Sequence, residues 1–304
     1  HGVAMRIDKV TSIPLTLTSF ETDPFLISSF LGVNIHGILG FEFFKSFIVE
    51  IDFEKKRISL TKPEYFHIKN GFTAMPVEFQ YNKPYIQSTL YLADTALDLD
   101  FLLDTGAGFP IMVEAASQSA IALPSNVKMV QLGIGLNGPV YGNIGRIPAF
   151  SIGHHKMENV VAGFPEMPDS YSKHINEVRY GSIGNYVLNR FQIVLDYNGS
   201  HLYLKPNINM QKHFPFDRVG AEVIASGDKY SRIVVQWVKP DSPADCAGIL
   251  AGDEIMEINR RKAAAYKLEA IDALFSNPAI KSIALKIRRN ESYFYLEIVP
   301  KDMI

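Results

Sequence analysis

An internal repeat constrains the fold of this chain more than any other feature of its sequence. Residues 36–53 align without a gap on residues 180–197, at a fixed offset of 144 positions. Four identical pairs coincide in this alignment: Gly37/Gly181, Gly40/Gly184, Phe47/Phe191 and Asp52/Asp196. Apolar residues also match in kind at 39/183, 49/193 and 51/195. An ungapped match of this length indicates two structurally related regions in one chain.

Both copies of the repeat follow the same order of residue types. An apolar segment ends in glycine, a short helix-like stretch follows and ends at phenylalanine, and two strands then flank a turn that contains aspartate. The strand pairs run from Val49 to Leu60 and from Ile193 to Leu204. The repeat therefore predicts two related units that are rich in β-structure.

Asp104 stands where the sequence predicts that a strand runs into a tight turn. The apolar residues 101–103 precede it, Thr105-Gly106 follow, and a second apolar run at 110–113 leads away. Burial and neighbouring charge move a carboxyl pKa toward the range in which the group exchanges protons, so Asp104 is a candidate catalytic residue. The similar Asp94-Thr95-Ala96 lies in a polar stretch, and we expect the turn of a hairpin there.

The Asp-Thr-Gly motif at 104–106 resembles the active-site loop of aspartic proteases, and Ala107 is typical of their retropepsin-like, retroviral-type branch. The resemblance implies a mainly β fold of β-barrel lobes. In such a fold, the segment that ends in Gly184 crosses behind the loop, where glycine permits a close backbone approach. The resemblance also assigns three catalytic residues: Asp104 activates a water molecule, the Thr105 hydroxyl holds the loop across a pseudo-twofold axis, and Gly106 allows the tight turn.

The repeat offset indicates how much of a two-lobed protease this chain contains. An aspartate equivalent to Asp104 would lie about forty residues before residue 1. Residues 1–65 then form the C-terminal part of a first lobe, and residues 66–208 form a complete second lobe. In aspartic proteases two neighbouring carboxyl groups share one proton, so a second aspartate is required. It comes from an upstream segment of the same precursor or from a second copy of the chain. We favour the upstream segment, because residues 1–65 already supply half a lobe.

A glycine-rich hairpin follows within the second lobe. Residues 130–145 alternate around a tip formed by Leu136, Asn137, Gly138 and Pro139. By resemblance to aspartic proteases, this hairpin is the flap, a mobile cover that closes over an extended peptide and excludes water. The four tip residues are therefore expected to bind substrate, and an ordinary surface hairpin is the alternative.

The composition changes after Pro206. Ser-Pro-Ala at 242–244 is typical of a capped short helix, which Ala-Gly-Ile at 247–249 ends, and Gly-Asp-Glu-Ile at 252–255 opens a strand. Residues 268–275 form an amphipathic pattern that Asn277-Pro278 ends. This order resembles the PDZ domain of bacterial envelope proteases and implies an α+β PDZ domain over residues 209–304.

A PDZ domain binds an extended chain end as an added strand. By resemblance, the loop that holds the terminal carboxylate consists of Arg218, Val219, Gly220 and Ala221, and the groove lies between the following strand and the helix at 268–275. Arg218 adds a positive charge that suits a carboxylate. The alternative is that the domain docks on the protease lobes and binds no peptide.

Composition excludes several other classes of protein. The 304 residues include 30 Lys and Arg against 32 Asp and Glu, so no excess charge favours nucleic acid or an anionic membrane. The single cysteine, Cys246, excludes an internal disulfide, and no Cys/His cluster has zinc spacing, so we expect no metal or other cofactor. The most apolar stretch, 25–41, contains polar residues and is too short for a membrane span, so we expect it in the core. The PDZ type favours the periplasm or cell envelope, with the cytoplasm as the alternative.

Three functions fit these observations. The first is an aspartic endopeptidase that hydrolyses a peptide or unfolded protein, with a PDZ module that recruits the substrate; this chain alone would be incomplete. The second is a non-catalytic peptide-binding protein, a pseudoprotease with a PDZ interaction module. The third is an interaction scaffold that acts mainly through its PDZ end. An upstream Asp-Thr/Ser-Gly motif would favour the first function over the second.

Overall fold

The computed structural model describes residues 2–19, 21, 23, 26–115, 118–135, 138–166 and 180–304. The chain divides into two compact units. The first unit consists of residues 1–19, 39–133 and 139–214, and the second consists of residues 20–38, 134–138 and 215–304.

The described elements are mostly strands, and the helices are short. In chain order the elements are β1 (Arg6–Ile7), β2 (Val10–Thr11), α1 (Ile27–Leu31), α2 (Phe41–Ser46), β3 (Ile48–Asp52), β4 (Arg57–Thr61), β5 (Thr73–Pro76), β6 (Glu78–Gln80), β7 (Lys83–Tyr91), β8 (Ala96–Leu103), β9 (Ile111–Val113), β10 (Val127–Gly135), β11 (Gly138–Ile152), β12 (His155–Pro165), β13 (Gly181–Ile183), α3 (Asn185–Leu188), β14 (Phe191–Asp196), β15 (His201–Pro206), β16 (Ala221–Ser226), β17 (Arg232–Val238), α4 (Pro243–Cys246), β18 (Glu254–Ile258), β19 (Arg261–Lys262), α5 (Leu268–Phe275), β20 (Ile283–Arg289) and β21 (Ser292–Ile298).

The larger sheet of the first unit closes into a barrel. Its strand order is β10-β11-β12-β9-β13-β8-β7-β6, and β11 also pairs with β7, so six strands form a ring. Alternate residues of β8 point inward, and Leu99, Phe101 and Leu103 are buried there. This barrel confirms the mainly β fold that the sequence predicted.

A second sheet of the first unit brings the two copies of the repeat together. Its order is β4-β3-β14-β15-β5, and β3 and β14 are antiparallel neighbours. Glu50 lies directly opposite Val194, its own equivalent at the offset of 144. A residue that pairs with its own equivalent lies on a local twofold axis, so β3 and β14 are related by pseudo-twofold symmetry.

The turns and helices of the two copies also match. The Asp52 carboxylate accepts the Lys55 amide at 3.0 Å, and the Asp196 carboxylate accepts the Gly199 amide at 2.7 Å. Gly40 precedes α2 with φ −104° and ψ −166°, and Gly184 precedes α3 with φ −104° and ψ −175°. The repeat is therefore a repeat of backbone conformation as well as of sequence.

The second unit contains a sheet of order β16-β17-β18-β20-β21, with β19 beside β18. Ser242 caps α4 by accepting the Asp245 amide at 3.2 Å. The helix α5 spans the predicted residues 268–275, and its apolar face is buried against the sheet through Leu268, Ile271 and Phe275. The α+β fold predicted for this end of the chain is confirmed.

The apolar stretch at 25–41 was expected in a core, and in its described part that expectation is wrong. No residue of α1 is buried, and Leu31, Val33 and Ile38 are 57%, 53% and 72% exposed. Apolar composition shows which residues gain by burial, but it does not show whether the rest of the chain covers them.

Candidate active site and peptide groove

Asp104 lies where β8 ends, and strand β13 crosses behind its loop. β13 is parallel to β8 and antiparallel to β9, so it lies between the strand that enters the loop and the strand that leaves it. The Asp104 amide donates to the Ile183 carbonyl at 3.0 Å. Asp104 itself is half-buried. The buried strand β13 thereby fixes the position of Asp104 at the start of its loop.

Gly184 makes the close approach expected behind the loop. A Cβ placed on Gly184 would lie 2.0 Å from the Phe109 carbonyl oxygen and 2.9 Å from that of Ala107. The Gly184 amide also donates to the Pro110 carbonyl at 2.8 Å. Any side chain at position 184 would therefore displace the loop that carries Asp104.

Hydrogen bonds hold the Asp-Thr-Gly turn. The Gly106 amide donates to Asp104 Oδ1 at 2.9 Å, which orients the carboxylate. The Asn185 side chain donates to the Thr105 carbonyl at 2.5 Å, and the Asn185 amide donates to the Ala107 carbonyl at 2.9 Å. The structure brings these three motif residues together, and the role of the Thr105 hydroxyl stays a prediction.

Tyr197 is a neighbour of Asp104 that sequence reasoning missed. Burial raises the pKa of its phenol, and the charge of Asp104 raises that pKa further. Its ring packs against Phe41, Phe44 and Phe79 at centroid distances of 5.8, 5.4 and 4.9 Å. Tyr197 follows Asp196 of the repeat, where the first copy has Phe53, so the added hydroxyl was the available signal.

The sequence also predicted a flap and a hairpin turn at Asp94-Thr95 in this region, and the structure describes part of the flap and the whole of the turn. Strands β10 and β11 are neighbours in the sheet and form the hairpin predicted to be the flap; of its tip, Gly138 begins β11 and Pro139 is exposed. Leu136 and Asn137 lie outside the described residues. Asp94-Thr95 forms the turn between β7 and β8, where the Leu92 amide donates to the Thr95 carbonyl at 2.8 Å. This is the hairpin turn that the polar sequence predicted.

Comparison with known proteins agrees with this geometry. A family model described as aspartyl protease matches residues 90–187, and one described as PDZ domain matches residues 234–289. The chain therefore contains an aspartyl-protease domain over the first of these ranges and a PDZ domain over the second. The resemblance stated from the Asp-Thr-Gly and Ser-Pro-Ala motifs is confirmed.

Individual relatives cover parts of the chain. The Drosophila melanogaster 26S proteasome non-ATPase regulatory subunit 9 is 34% identical over 84 residues, which are 27% of this chain and 38% of that protein. A retropepsin-like aspartic protease from Rickettsia conorii is 17% identical with a TM-score of 0.31, and the match covers 45% of this chain and all of that one. The HtrA3 PDZ domain, solved with a phage-derived ligand, is 23% identical with a TM-score of 0.25, over 29% of this chain and 88% of that one.

The loop predicted to hold a carboxylate in the PDZ domain is already bonded within the chain. Asp217 accepts the Val219 and Gly220 amides at 2.8 and 2.7 Å. The Arg218 guanidinium pairs with Asp302 at 2.6 Å and donates to the Asn277 and Ile280 carbonyls. Ala221 is buried as the first residue of β16.

Carboxyl groups surround the same end of the PDZ groove. Burial raises the pKa of Asp217 to about 6, although its two amide hydrogen bonds and Lys239 act in the opposite direction and Asp272 adds to the rise. Burial, and then the charges of Asp272 and Asp217, raise the pKa of Glu222 to about 7. Asp217, Glu222 and Asp272 therefore interact with one another near this loop.

Two further findings bear on function. Among the residues that the structure describes, no group of three His, Cys, Asp or Glu side chains is placed to hold a metal ion. No helix in the described part of the chain is both long and apolar enough to span a membrane.

Proposed function

We propose that this chain belongs to an aspartic endopeptidase, with Asp104 as one catalytic carboxylate and the second supplied by a segment that precedes residue 1. The observation that carries the proposal is the pseudo-twofold axis between Glu50 and Val194. An axis of this kind relates the Asp104 loop, which packs on Gly184, to an equivalent loop on Gly40. Two such loops would face each other across the axis, as a pair of aspartates requires.

The first copy of the repeat is suited to receive such a loop. Gly40 has almost the backbone conformation of Gly184, and a Cβ placed on it meets no atom of the described residues within 4 Å. Leu39 is 43% exposed, whereas its equivalent Ile183 is fully buried between β8 and β9. An incoming strand and loop would bury Leu39 as β8 and β9 bury Ile183.

A second copy of the chain is a weaker source of the missing aspartate. On the pseudo-twofold axis, β14 already pairs with β3 of its own chain through four residue pairs. A second copy that used the same axis would have to replace this pairing. An upstream segment would complete the first lobe and leave β3 in place.

The mechanism follows from two carboxyl groups that share one proton. The ionised carboxylate takes a proton from a water molecule, which attacks the scissile carbonyl. The protonated partner donates a hydrogen bond to the carbonyl oxygen as negative charge develops there. The Gly106 amide, which donates to Asp104 Oδ1, would hold that carboxyl group in a fixed orientation. The flap tip would cover the substrate, and the PDZ domain would position a peptide or unfolded protein.

Activity of the chain extended at its N-terminus by the preceding segment tests the proposal. We expect the extended chain to hydrolyse denatured casein and the 304-residue chain alone to be inactive. Asp104→Asn should lower kcat/KM of the extended chain by at least about 10³-fold, because a carboxamide cannot activate water. The matched control is Asp94→Asn, in the hairpin turn between β7 and β8, which should retain activity.

Two results would contradict the proposal. Equal activity of the Asp104→Asn and Asp94→Asn variants would place the chemistry elsewhere. A folded extended chain that binds casein peptides without cleaving them would be a pseudoprotease. For localisation, the PDZ resemblance supports the periplasm or cell envelope, and cell fractionation that recovered the protein with the cytoplasm would overturn that assignment.

A further inference from the structure

Within the second unit, the groove beside the edge strand β16 is covered by the chain's own helix α1. β16 ends the sheet, with β17 on one side, and α5 packs next to it. The helix α1 packs against both β16 and α5. This is the groove in which a PDZ domain would take an added peptide strand.

The end of α1 lies between the two walls of the groove. α1 is capped at its C-terminal end by Gly32, which has φ 65° and donates its amide to the Ser28 carbonyl. A Cβ placed on Gly32 would lie 3.4 Å from Leu268 Cδ1 of α5 and 3.5 Å from Ala225 Cβ of β16. Both distances are ordinary van der Waals contacts, so the helix end fits the groove without overlap.

A third contact lies beyond the helix. The Tyr230 hydroxyl, just after β16, donates to Asn34 Oδ1 at 3.1 Å. Residues 27–34 thus follow the groove from β16 and α5 toward the loop between β16 and β17.

The opposite end of the groove disfavours a chain terminus. A terminal carboxylate at the Val219 and Gly220 amides would have to displace Asp217, which holds both. It would also add a like charge to a group of interacting carboxyls, because Asp272 raises the pKa of Asp217 and both raise that of Glu222, while Lys239 acts in the opposite direction on Asp217. An internal segment brings no terminal carboxylate and avoids this repulsion.

We propose that this PDZ groove binds internal polypeptide segments and that residues 26–34 are its resident ligand. A helix of five residues is not stable by itself, so α1 is ordered by its contacts with β16 and α5. Residues 27–30 are only half-buried, and Leu31 is 57% exposed. Since the docked segment buries little of its surface, we expect another segment to be able to replace it in the groove.

A disulfide tests the position of the segment. In a Cys246→Ser background, Gly32→Cys with Ala225→Cys places two Cβ atoms 3.5 Å apart, within the range of a disulfide. The matched control is Gly37→Cys with Ala225→Cys, since a Cβ on Gly37 meets no described atom within 4 Å. We expect mild oxidation to cross-link the first pair and leave two free thiols in the control, as counted by mass spectrometry. Equal cross-linking of both pairs, or of neither, would overturn the proposal.

A cysteine at position 32 is strained, since Gly32 has φ 65°. Hydrogen exchange therefore tests the same contact without any substitution. The amides of Phe30 and Val33 donate to the Leu26 and Ser28 carbonyls. In the unmodified chain they should exchange at least about tenfold more slowly than in a synthetic peptide of residues 26–38. Exchange at the peptide rate would show that α1 is not docked.

Binding of that synthetic peptide tests the ligand class. A tethered segment competes at an effective concentration near the millimolar range, so a peptide in trans should bind poorly to the unmodified chain. Phe30→Asp should release the half-buried segment and strengthen peptide binding by at least about tenfold, whereas Leu31→Asp, at an exposed position, should not. The cross-linked variant should not bind.

The C-terminus of the peptide distinguishes the two modes. Peptides ending in a carboxamide and in a free carboxylate should bind the Phe30→Asp variant equally, because an internal segment uses no terminus. A preference of about tenfold or more for the free carboxylate would overturn the proposal. None of these measurements requires proteolytic activity.

Discussion

At the scale of single residues, Gly184 determines where Asp104 can stand. Its missing side chain lets the Phe109 and Ala107 carbonyls approach, and those carbonyls belong to the loop that carries the carboxylate. The consequence is that a conservative change outside the Asp-Thr-Gly motif should disturb the candidate site as much as a change within it.

Substitution of Gly184 measures this dependence. Gly184→Ala should lower the free energy of unfolding of the first unit by about 3 kcal/mol or more, because its Cβ overlaps two carbonyl oxygens. Gly108→Ala, whose Cβ meets no described atom within 4 Å, is the matched control and should change it little. Urea unfolding monitored by far-UV circular dichroism checks the difference, and equal stability of the two variants would refute the close approach.

Arg190 is a second residue on which the structure of the first unit depends, although arginine is usually found at the surface. It is buried, stacks over the Phe214 ring at 3.6 Å, and donates to four carbonyls: those of Tyr186, Asn209, Met210 and Lys212. Burial lowers its pKa to about 10, so it remains charged at neutral pH. It therefore holds the segment after β15 against α3.

Replacement of Arg190 tests this role. Arg190→Lys should destabilise the first unit by about 2 kcal/mol. The lysine ammonium group lacks the planar fork of donors with which the guanidinium reaches several carbonyls at once. Arg57→Lys, at an exposed position of β4, should be neutral. Thermal unfolding of both variants provides the comparison, and a neutral Arg190→Lys would show that its carbonyl contacts contribute little.

At the scale of elements, local sequence patterns predicted the helix bounds and turns correctly, but they did not predict which elements pack against each other. The α5 bounds followed from apolar periodicity and the following Asn277-Pro278, and the two Asp turns followed from the repeat. Sequence did not show that α1 packs against β16, because apolarity identifies a face but not its partner. It did not show Tyr197 near Asp104 either, since the two residues are far apart in sequence and only the tertiary fold brings them together.

The carboxyl groups around β16 make the stability of the PDZ domain depend on pH. The pKa values of Asp217 and Glu222 are raised to about 6 and about 7 in the folded state. Folded protein thus binds more protons than unfolded protein between about pH 4 and pH 7, so stability falls as pH rises through this window. The charge of Asp272 raises both pKa values, whereas Lys239 and the Val219 and Gly220 amides lower that of Asp217.

The single tryptophan allows this dependence to be measured. Trp237 lies in β17, so its fluorescence reports unfolding of the PDZ domain. The urea midpoint should be higher at pH 5 than at pH 7.5, and Glu222→Gln should reduce the difference. A midpoint that rises with pH over this range would contradict the raised pKa values.

At the scale of the whole molecule, the repeat connects the single Asp-Thr-Gly motif to both copies of the repeated segment. The axis between β3 and β14 relates Gly40 to Gly184, and Gly184 carries the loop of the candidate catalytic residue. The proposed function requires that an upstream loop pack on Gly40 as the Asp104 loop packs on Gly184.

Gly40→Ala is the direct test of this packing. Its effect on the free energy of unfolding should be measured in this chain and in the chain extended by its upstream segment. In the 304-residue chain the added Cβ meets no described atom within 4 Å, so the substitution should be nearly neutral. In the extended chain it should cost about 3 kcal/mol, as Gly184→Ala does, because the Cβ would overlap the carbonyls of the first-lobe loop. A substitution that is neutral in both chains would show that no upstream loop packs on Gly40.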